Sequence, residues 1–339
     1  MSYCNMKMEK ILSIIIPTYN MEDLLPRCLD SLIIKEKFDN LDIIIVNDGS
    51  EDKSSDIGHQ YEMNFPNVIR VIDKPNGNYG SCINCGLKKA KGKYVKVLDS
   101  DDYFNKLEFS KFVELLLSLD ADAVLTDYTV VQSDKRKLIR TMSDKTIGKI
   151  VQIDDMPIRF VQMHGITYKT KLLRDMDYKQ TEGISYTDQE WIFFPFFFLK
   201  DIIYYPLNIY QYVLGREGQT MNADIVLKCY SHTLKSVLRM MDYYAHFDRL
   251  TLSENRIKYL SSRIIGRCFV LYKIFLIKQS NEDYDDVSCR LLDESLKKCD
   301  LYLYEKVGHM PIHRFLPYYF IERWRVNNKR VTNFLLRKL

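Results

Sequence analysis

The chain has 339 residues, of which 46% are hydrophobic, 28% are charged and 13% are aromatic, and its formal net charge is +4. This composition excludes a disordered chain, a collagen-like repeat and a small disulfide scaffold. The length allows one large domain or two of ordinary size. The excess of Lys and Arg lies after residue 215, whereas the residues before it carry a small excess of Asp and Glu.

Eight cysteines are scattered without the spacing of a secreted disulfide framework. Nothing before Ile11 resembles the apolar core of a signal peptide, and no apolar run approaches the roughly 18–20 residues that cross a bilayer. We therefore expect a cytoplasmic protein with reduced thiols. It is either free in the cytoplasm or peripheral on the inner face of the cell membrane.

Short apolar runs rich in β-branched residues alternate with helix-like segments at the start of the chain. The helix-like segments include residues 24–33 and 83–90, which space apolar side chains at three and four. This alternation predicts an α/β fold with a mainly parallel sheet flanked by helices. The runs have the length of buried strands and comprise residues 14–16, 43–46, 68–72 and 94–98.

The pattern changes towards the C-terminus. Residues 123–126 and 128–131 are predicted as strands ahead of a charged turn at 134–137, and residues 191–199 as an apolar helix. We expect an α/β domain over residues 1–216 and a helical C-terminal subdomain over 217–339, for acceptor, membrane or partner contact. Amphipathic helices are predicted over residues 224–247, 254–279, 286–300 and 318–338.

Polar residues follow each predicted strand, where parallel sheets bind their ligands. Any one such cluster is explained by turn chemistry, but four in succession favour a binding site. The third cluster, residues 76–80, lacks the spacing of a dinucleotide fingerprint or of a P-loop. A dehydrogenase or an ATPase is therefore disfavoured. The clusters are Thr18-Tyr19-Asn20, Asn47-Asp48-Gly49-Ser50, Asn76-Gly77-Asn78-Tyr79-Gly80 and Asp99-Ser100-Asp101-Asp102.

The fourth cluster places three carboxylates within four residues. Oxygen ligands that alternate on an extended segment suit a hard divalent cation such as Mg²⁺ or Mn²⁺. The alternative is that these aspartates cap a helix over residues 104–117 and bind no metal.

Taken in this order, the motifs resemble those of family 2 glycosyltransferases with the GT-A fold. The likeness is dense over residues 11–104 and continues thinly to about residue 220. The matching stretches are residues 13–20, residues 45–50 with Asp52, residues 76–87 with Ala90 and Gly92, and residues 97–102.

The resemblance implies an inverting transfer of a sugar from a nucleoside-diphosphate donor, most often UDP-linked, to a saccharide or lipid-linked acceptor in polysaccharide or glycoconjugate biosynthesis. It implies a DXD pair, Asp99 and Asp101, that holds Mn²⁺ or Mg²⁺, with Asp101 the more direct ligand. Ile83 stands where many members carry Arg, so a donor-side cation comes from elsewhere or is absent. The donor-binding residues implied are Pro17, Thr18, Tyr19, Asp48, Asn76, Gly80, Asp99, Ser100 and Arg216.

An inverting transfer needs a base for the acceptor hydroxyl, ordinarily a carboxylate. The resemblance places it at Asp188, although Thr187 stands where Glu is more usual. Glu190 is the alternative base, and a third alternative makes Asp188 the N-cap of a helix that runs to Leu199. His164 is a weaker acceptor-side candidate, since a lone His is more often structural.

The C-terminal end has two interpretations. Phe320, Trp324, Val331 and Leu335 form one stripe of a helix over residues 318–338, among basic side chains. Such a helix suits peripheral contact with anionic lipid, and it equally suits packing on its own domain.

Two rival functions stand beside glycosyl transfer. A nucleotidyltransferase on a related sheet would need an early basic Gly-rich loop, which residues 18–21 do not supply. A non-enzymatic scaffold or nucleic-acid binder would use the basic C-terminal part. We expect a nucleotide-sugar ligand and no nucleic acid.

Overall fold

A computed structural model describes residues 10–155, 161–215, 223–280, 282–312 and 318–330. The chain divides into two compact units, Met1–Glu217 and Gly218–Leu339. The first contains a sheet flanked by helices, and the described part of the second is helical.

In the described part of the first unit, ten strands form one sheet. Its order is β3-β2-β1-β4-β9-β6-β10-β5, with β7 paired to β6 and β8 paired to β10. The strands are β1 (Lys10–Thr18), β2 (Leu41–Asn47), β3 (Ile69–Asp73), β4 (Gly92–Val97), β5 (Tyr103–Phe104), β6 (Ala123–Gln132), β7 (Lys135–Ile139), β8 (Ile150–Gln152), β9 (Ile166–Lys169) and β10 (Asp201–Leu214).

The first four long strands form the predicted parallel half of the sheet. β1 pairs in parallel with both β2 and β4, and β2 pairs in parallel with β3. The register places Thr18 opposite Asn47, and Asn47 opposite Asp73. The carboxyl ends of these strands therefore meet at one edge. The strand order reverses beside β1, which is the switch point where open α/β sheets bind ligands.

The other half of the sheet is mixed, because β9 runs antiparallel to β4 and β6 while β10 runs parallel to β6. The two strands predicted over residues 123–131 are one strand, β6. Asp127, which interrupts the apolar pattern, is buried inside it. Its carboxylate accepts hydrogen bonds from the Thr141 amide (3.0 Å) and the Tyr204 hydroxyl (2.8 Å), so the strand continues through it.

Helices cover the sheet of the first unit. Helix α3 lies directly on β1, since a Cβ at Gly86 would stand 2.5 Å from the side chain of Ile15. The helices are α1 (Leu25–Asp30), α2 (Ser54–Asn64), α3 (Asn78–Lys89), α4 (Lys106–Leu116), α5 (Thr170–Asp175) and α6 (Asp188–Trp191).

The second unit consists of amphipathic helices over the residues described. Among the described residues of both units, no helix is both long and apolar enough to cross a membrane. The helices are α7 (Ala223–Lys228), α8 (Tyr230–His246), α9 (Glu254–Lys273), α10 (Asp286–Cys299), α11 (Leu301–Gly308) and α12 (Phe320–Asn327).

The long helix predicted over residues 318–338 is wrong for residues 328–330, the described residues after Asn327. Asn328 adopts a left-handed backbone, with φ at 55°, and ends α12 there. Phe320 and Trp324 are buried, which favours the packed interpretation of the stripe over the lipid-facing one. Val331 and Leu335, its other members, lie outside the described residues.

Candidate active site

The loop after β1 presents an aromatic ring at the carboxyl edge of the sheet. Pro17 and Thr18 are buried, whereas Tyr19 is 44% exposed. Asn20 turns the chain with a left-handed backbone, and its amide donates to Oγ of Ser50 in the loop after β2 (3.0 Å). The first two predicted clusters are therefore joined at this edge.

Asp48, at the end of β2, is buried against a lysine that the sequence analysis did not select. Its Oδ1 accepts hydrogen bonds from Nζ of Lys74, from the amide of Gly77 (3.0 Å) and from Oγ of Ser81 (3.4 Å). Lys74 thus supplies a cation at the predicted donor side, where buried Ile83 offers none.

The loop after β3 and helix α3 pack closely against a later segment. A Cβ at Gly80 would stand 2.1 Å from the carbonyl oxygen of Thr181, so glycine is required there for packing. Its contact with a donor stays a prediction, as does that of exposed Asn76. A cleft of about 720 Å³ runs beside α3 and α5 and is lined by Lys74 and Ser81, so it adjoins the Asp48 cluster.

Two tyrosines hold the acidic cluster that follows β4. Tyr79 donates to Oδ1 of Asp99 (2.8 Å), and Tyr210 donates to Oδ2 of Asp102 (2.7 Å). The amide of Val213 donates to the other oxygen of Asp102 (2.7 Å), and the amide of Asp99 donates to the Tyr210 oxygen (3.1 Å). The network fixes both carboxylates in place beside Ser100, which is also buried.

The helix-capping alternative for this cluster is wrong. Asn105 is the N-cap of α4, and its side chain accepts hydrogen bonds from first-turn amides at 3.1 and 3.2 Å. Asp101, the ligand predicted to be the more direct one, is partly buried. Its backbone carbonyl accepts a hydrogen bond from the guanidinium of Arg27 in α1 (2.7 Å).

The surroundings of Asp99 and Asp102 disfavour the negatively charged form of both side chains. Burial, followed by the charge of Asp101, raises the pKa of Asp99 to about 7. Burial and the charges of Asp99 and Asp101 raise the pKa of Asp102 well above its ordinary value. A divalent cation would offset this repulsion, and carboxylate oxygens are the ligands that Mn²⁺ and Mg²⁺ accept.

A histidine, His164, lies next to the carboxylates of Asp99 and Asp102. One ligand atom from each of Asp99, Asp102 and His164 lies within 4.8 Å of the other two. Burial, and then the charge of Lys96, lower the pKa of His164 to about 3, so its imidazole is neutral and able to bind a metal. Asp101 is not in this group. The sequence had suggested His164 only for the acceptor side.

Asp188 lies close to the acidic cluster. Its charge raises the pKa of Asp99, Tyr79 and Tyr212. Its Oδ2 accepts a hydrogen bond from the side chain of Gln189 (2.7 Å). The N-cap position of α6 is Thr187, so the interpretation of Asp188 as the cap is wrong.

Glu190 points to a different part of the fold. It is fully buried, and its carboxylate accepts hydrogen bonds from the amide (2.8 Å) and the hydroxyl (2.7 Å) of Thr181. The helix predicted to run to Leu199 ends at Trp191, because Pro195 has no amide hydrogen to continue it. A 3₁₀ turn over Phe194–Phe197 follows.

Left-handed backbone outside glycine occurs in three of the loops that carry candidate residues, at Asn20, Asn78 and Tyr186. Asn adopts this conformation readily, but a tyrosine there stores strain of roughly 1–3 kcal/mol. Such strain is concentrated at functional sites, and Tyr186 lies two residues before Asp188. Arg216, the last predicted donor contact, lies outside the described residues.

The metal-free protein should lose stability between about pH 4 and pH 7 through Asp99. Its folded pKa of about 7 exceeds the value of about 3.9 in an unfolded chain, so the folded state binds more protons in this window. The free energy of unfolding therefore falls as pH rises. Measured with a chelator, the melting temperature of the parent should fall more from pH 4.5 to 7.5 than that of Asp99→Asn. If the melting temperatures of the parent and of Asp99→Asn fell equally over this pH range, the raised pKa of Asp99 would be contradicted.

The family model described as glycosyl transferase family 2 matches residues 13–194, more than half of the chain. The chain belongs to glycosyltransferase family 2. The predicted family membership is thereby confirmed.

Family 2 relatives of known sequence match parts of the chain. An uncharacterized glycosyltransferase of Mycoplasma pneumoniae is 35% identical over 145 residues, 42% of this chain and 47% of the relative. EpsJ of Bacillus subtilis is 35% identical over 132 residues, 39% of this chain and 38% of EpsJ. The poly(ribitol-phosphate) beta-glucosyltransferase of Bacillus spizizenii is 30% identical over 219 residues, 63% of this chain and 34% of the enzyme. The chain thus matches less than half the length of each.

Solved structures confirm the predicted fold class. Residues 1–349 of S. aureus TarS in complex with UDP-GlcNAc superpose with a TM-score of 0.65 at 19% identity, over 94% of this chain and 92% of that one. TarS 1–349 without that ligand gives a TM-score of 0.60 at 20% identity, over 88% and 82%. At this identity the likeness establishes the GT-A type of fold and nothing finer.

Proposed function

We propose that this family 2 member is an inverting, metal-dependent glycosyltransferase that moves a sugar from a UDP-sugar to a saccharide or lipid-linked acceptor. The observation that carries the proposal is that Asp188 lies within electrostatic reach of Asp99, at the sheet edge that also holds Asp48. A carboxylate base and an acidic cluster that can hold a cation near the leaving diphosphate are parts that such a transfer needs.

The donor would lie along the carboxyl ends of β1 to β4. The exposed ring of Tyr19 offers a stacking surface for a base, beside buried Pro17 and Thr18. Asp48 would accept hydrogen bonds from the base or ribose, with Lys74 and the Gly77 amide fixing its carboxylate. The UDP-GlcNAc complex of TarS, a protein of the same fold, supports a UDP-linked donor.

Asp99 and Asp101 would hold the Mn²⁺ or Mg²⁺ ion, with Ser100 between them. When bound, the ion stabilises the negative charge of the leaving diphosphate. Tyr79 and Tyr210 hold the Asp99 and Asp102 side chains in place through their hydroxyl groups.

Asp188 would take the proton of the acceptor hydroxyl as that oxygen attacks the anomeric carbon from the face opposite the diphosphate. Its position at the start of α6 holds the carboxylate near the acidic cluster. Glu190 is engaged with Thr181 and is not available for this proton transfer.

The acceptor would be a saccharide or lipid-linked saccharide in polysaccharide or glycoconjugate biosynthesis. The name of the Bacillus spizizenii relative, a poly(ribitol-phosphate) beta-glucosyltransferase, supports a polymeric acceptor. We assign residues 1–216 to donor binding and catalysis, with Arg216 as a further diphosphate contact. Residues 217–339 would serve acceptor or partner contact.

A panel of nucleotide sugars tests the proposal through hydrolysis and thermal shift, with and without Mn²⁺. A UDP-sugar at about 100 times its Kd should add about 2.7 kcal/mol to the free energy of unfolding, and only with Mn²⁺ present. Slow hydrolysis of the same sugar nucleotide should accompany it. Stabilisation by no nucleotide sugar, or release of pyrophosphate from UTP and a sugar phosphate, would contradict the proposal.

A further inference from the structure

None of the roles assigned so far explains a buried nitrogen of His164. The residue is only 9% exposed, and its Nδ1 has no hydrogen-bond partner. Leaving a buried polar atom without a partner costs about 1–3 kcal/mol. A ring nitrogen of the same side chain lies within 4.8 Å of carboxylate oxygens of Asp99 and Asp102. At least one nitrogen of this imidazole therefore faces the place where negative charge is concentrated.

Packing fixes the orientation of this imidazole. The ring stacks on Tyr212, with centroids 4.1 Å apart and planes at 29°, and meets the edge of Tyr210 at 4.7 Å. Tyr128 packs against it at 5.2 Å. A ring held from three sides cannot turn freely to find another partner.

The backbone that carries His164 is fixed as well. The buried Nζ of Lys96 donates to the His164 carbonyl (2.8 Å) and to that of Ile166 (3.1 Å). Gly165 presses against β6, since a Cβ there would stand 2.8 Å from the carbonyl oxygen of Thr126. Lys96 lies in β4, three residues before Asp99, so one strand positions both the histidine and the acidic cluster.

We propose that His164 is a nitrogen ligand of the divalent cation held by the Asp99 cluster, and that it makes the site prefer Mn²⁺ to Mg²⁺. The inference rests on the proposed function, which supplies the cation. Imidazole binds first-row transition metals well, whereas Mg²⁺ takes oxygen ligands and keeps its water. A site of carboxylates alone would not discriminate in this way.

The competing explanation is that His164 only fills space among the tyrosines. Both explanations predict that substitution lowers the melting temperature, so stability does not separate them. Direct coordination does, because electron spin echo envelope modulation of bound Mn²⁺ detects a nitrogen that is bonded to the ion.

The experiment uses the full chain with Mn²⁺ and UDP. The parent should show nitrogen modulation, and His164→Asn should lose it while still binding Mn²⁺ through the aspartates. His59→Asn is the matched control, since half-buried His59 pairs with Asp73 and Glu62 outside the acidic cluster. The parent spectrum is decisive even if no His164 variant folds.

Calorimetry gives a second readout. Loss of a residue that only supports a metal ligand lowers metal affinity roughly 10–100-fold, so loss of the ligand itself should cost Mn²⁺ at least about tenfold. Mg²⁺ affinity should change much less. Bound Mn²⁺ without nitrogen modulation, or modulation that survives in His164→Asn, would overturn the inference alone. Failure of Mn²⁺ to bind with UDP would overturn the proposed metal dependence with it.

Discussion

Replacing Asp188 by Asn should lower the rate of sugar transfer by roughly 10²–10⁴-fold, the contribution of a general base. The amide keeps the size of the side chain but cannot take a proton from the acceptor hydroxyl. Donor affinity should be preserved, because the loops after β1 to β4 bind the nucleotide. Stability should change little, since Asp188 is not the N-cap of α6. Donor Kd, melting temperature and single-turnover rate measure the three quantities separately.

Glu190→Gln is the matched control, two residues along the same short helix. The new amide faces two donors of Thr181 with only one acceptor oxygen, so the variant should lose about 1–3 kcal/mol of stability. Its transfer rate per folded molecule should stay near that of the parent. An inactive Glu190→Gln beside an active Asp188→Asn would move the base to Glu190.

The parallel half of the sheet could be predicted because its signal is local. Apolar β-branched runs such as residues 43–46 each end in polar turn residues, and strand ends of one parallel sheet must share an edge. Thr18, Asp48 and Asp99 follow from that rule without any knowledge of their contacts. Asp127 interrupts the apolar pattern, so the sequence predicts two strands where the structure has one. Its partners Thr141 and Tyr204, which keep it buried, are distant in sequence.

The partners within the site could not be predicted for the same reason. Tyr210 reaches Asp102 across 108 residues, and Lys96 reaches the carbonyl of His164 across 68. A lysine inside a strand and a lone histidine carry no local signal of either contact. Capping, by contrast, is local, but the sequence offers several candidate caps. Only the structure distinguishes Asn105 from the aspartates before it.

Asp101→Asn should largely abolish the Mn²⁺-dependent stabilisation by UDP, a loss of about 2.7 kcal/mol when UDP is present at 100 times its Kd. The substitution removes a charged oxygen ligand from the predicted DXD pair. Without metal, the melting temperature should hold or rise, because the charge of Asp101 raises the pKa of both Asp99 and Asp102 and so opposes their ionisation. The melting temperature is measured with Mn²⁺ alone, with UDP alone and with both. These three measurements separate the stabilisation by the metal from that by the nucleotide.

Asp134→Asn is the control for loss of one negative charge, since Asp134 is exposed on the turn between β6 and β7. It should leave the Mn²⁺-UDP stabilisation unchanged. The comparison also separates Asp101 from the group of Asp99, Asp102 and His164. If Asp101→Asn binds Mn²⁺-UDP as tightly as the parent, the ion is held by that group, and the predicted role of Asp101 is wrong. If binding is lost, Asp101 belongs among the ligands, and the ion must sit where its carboxylate and that of Asp99 both reach it.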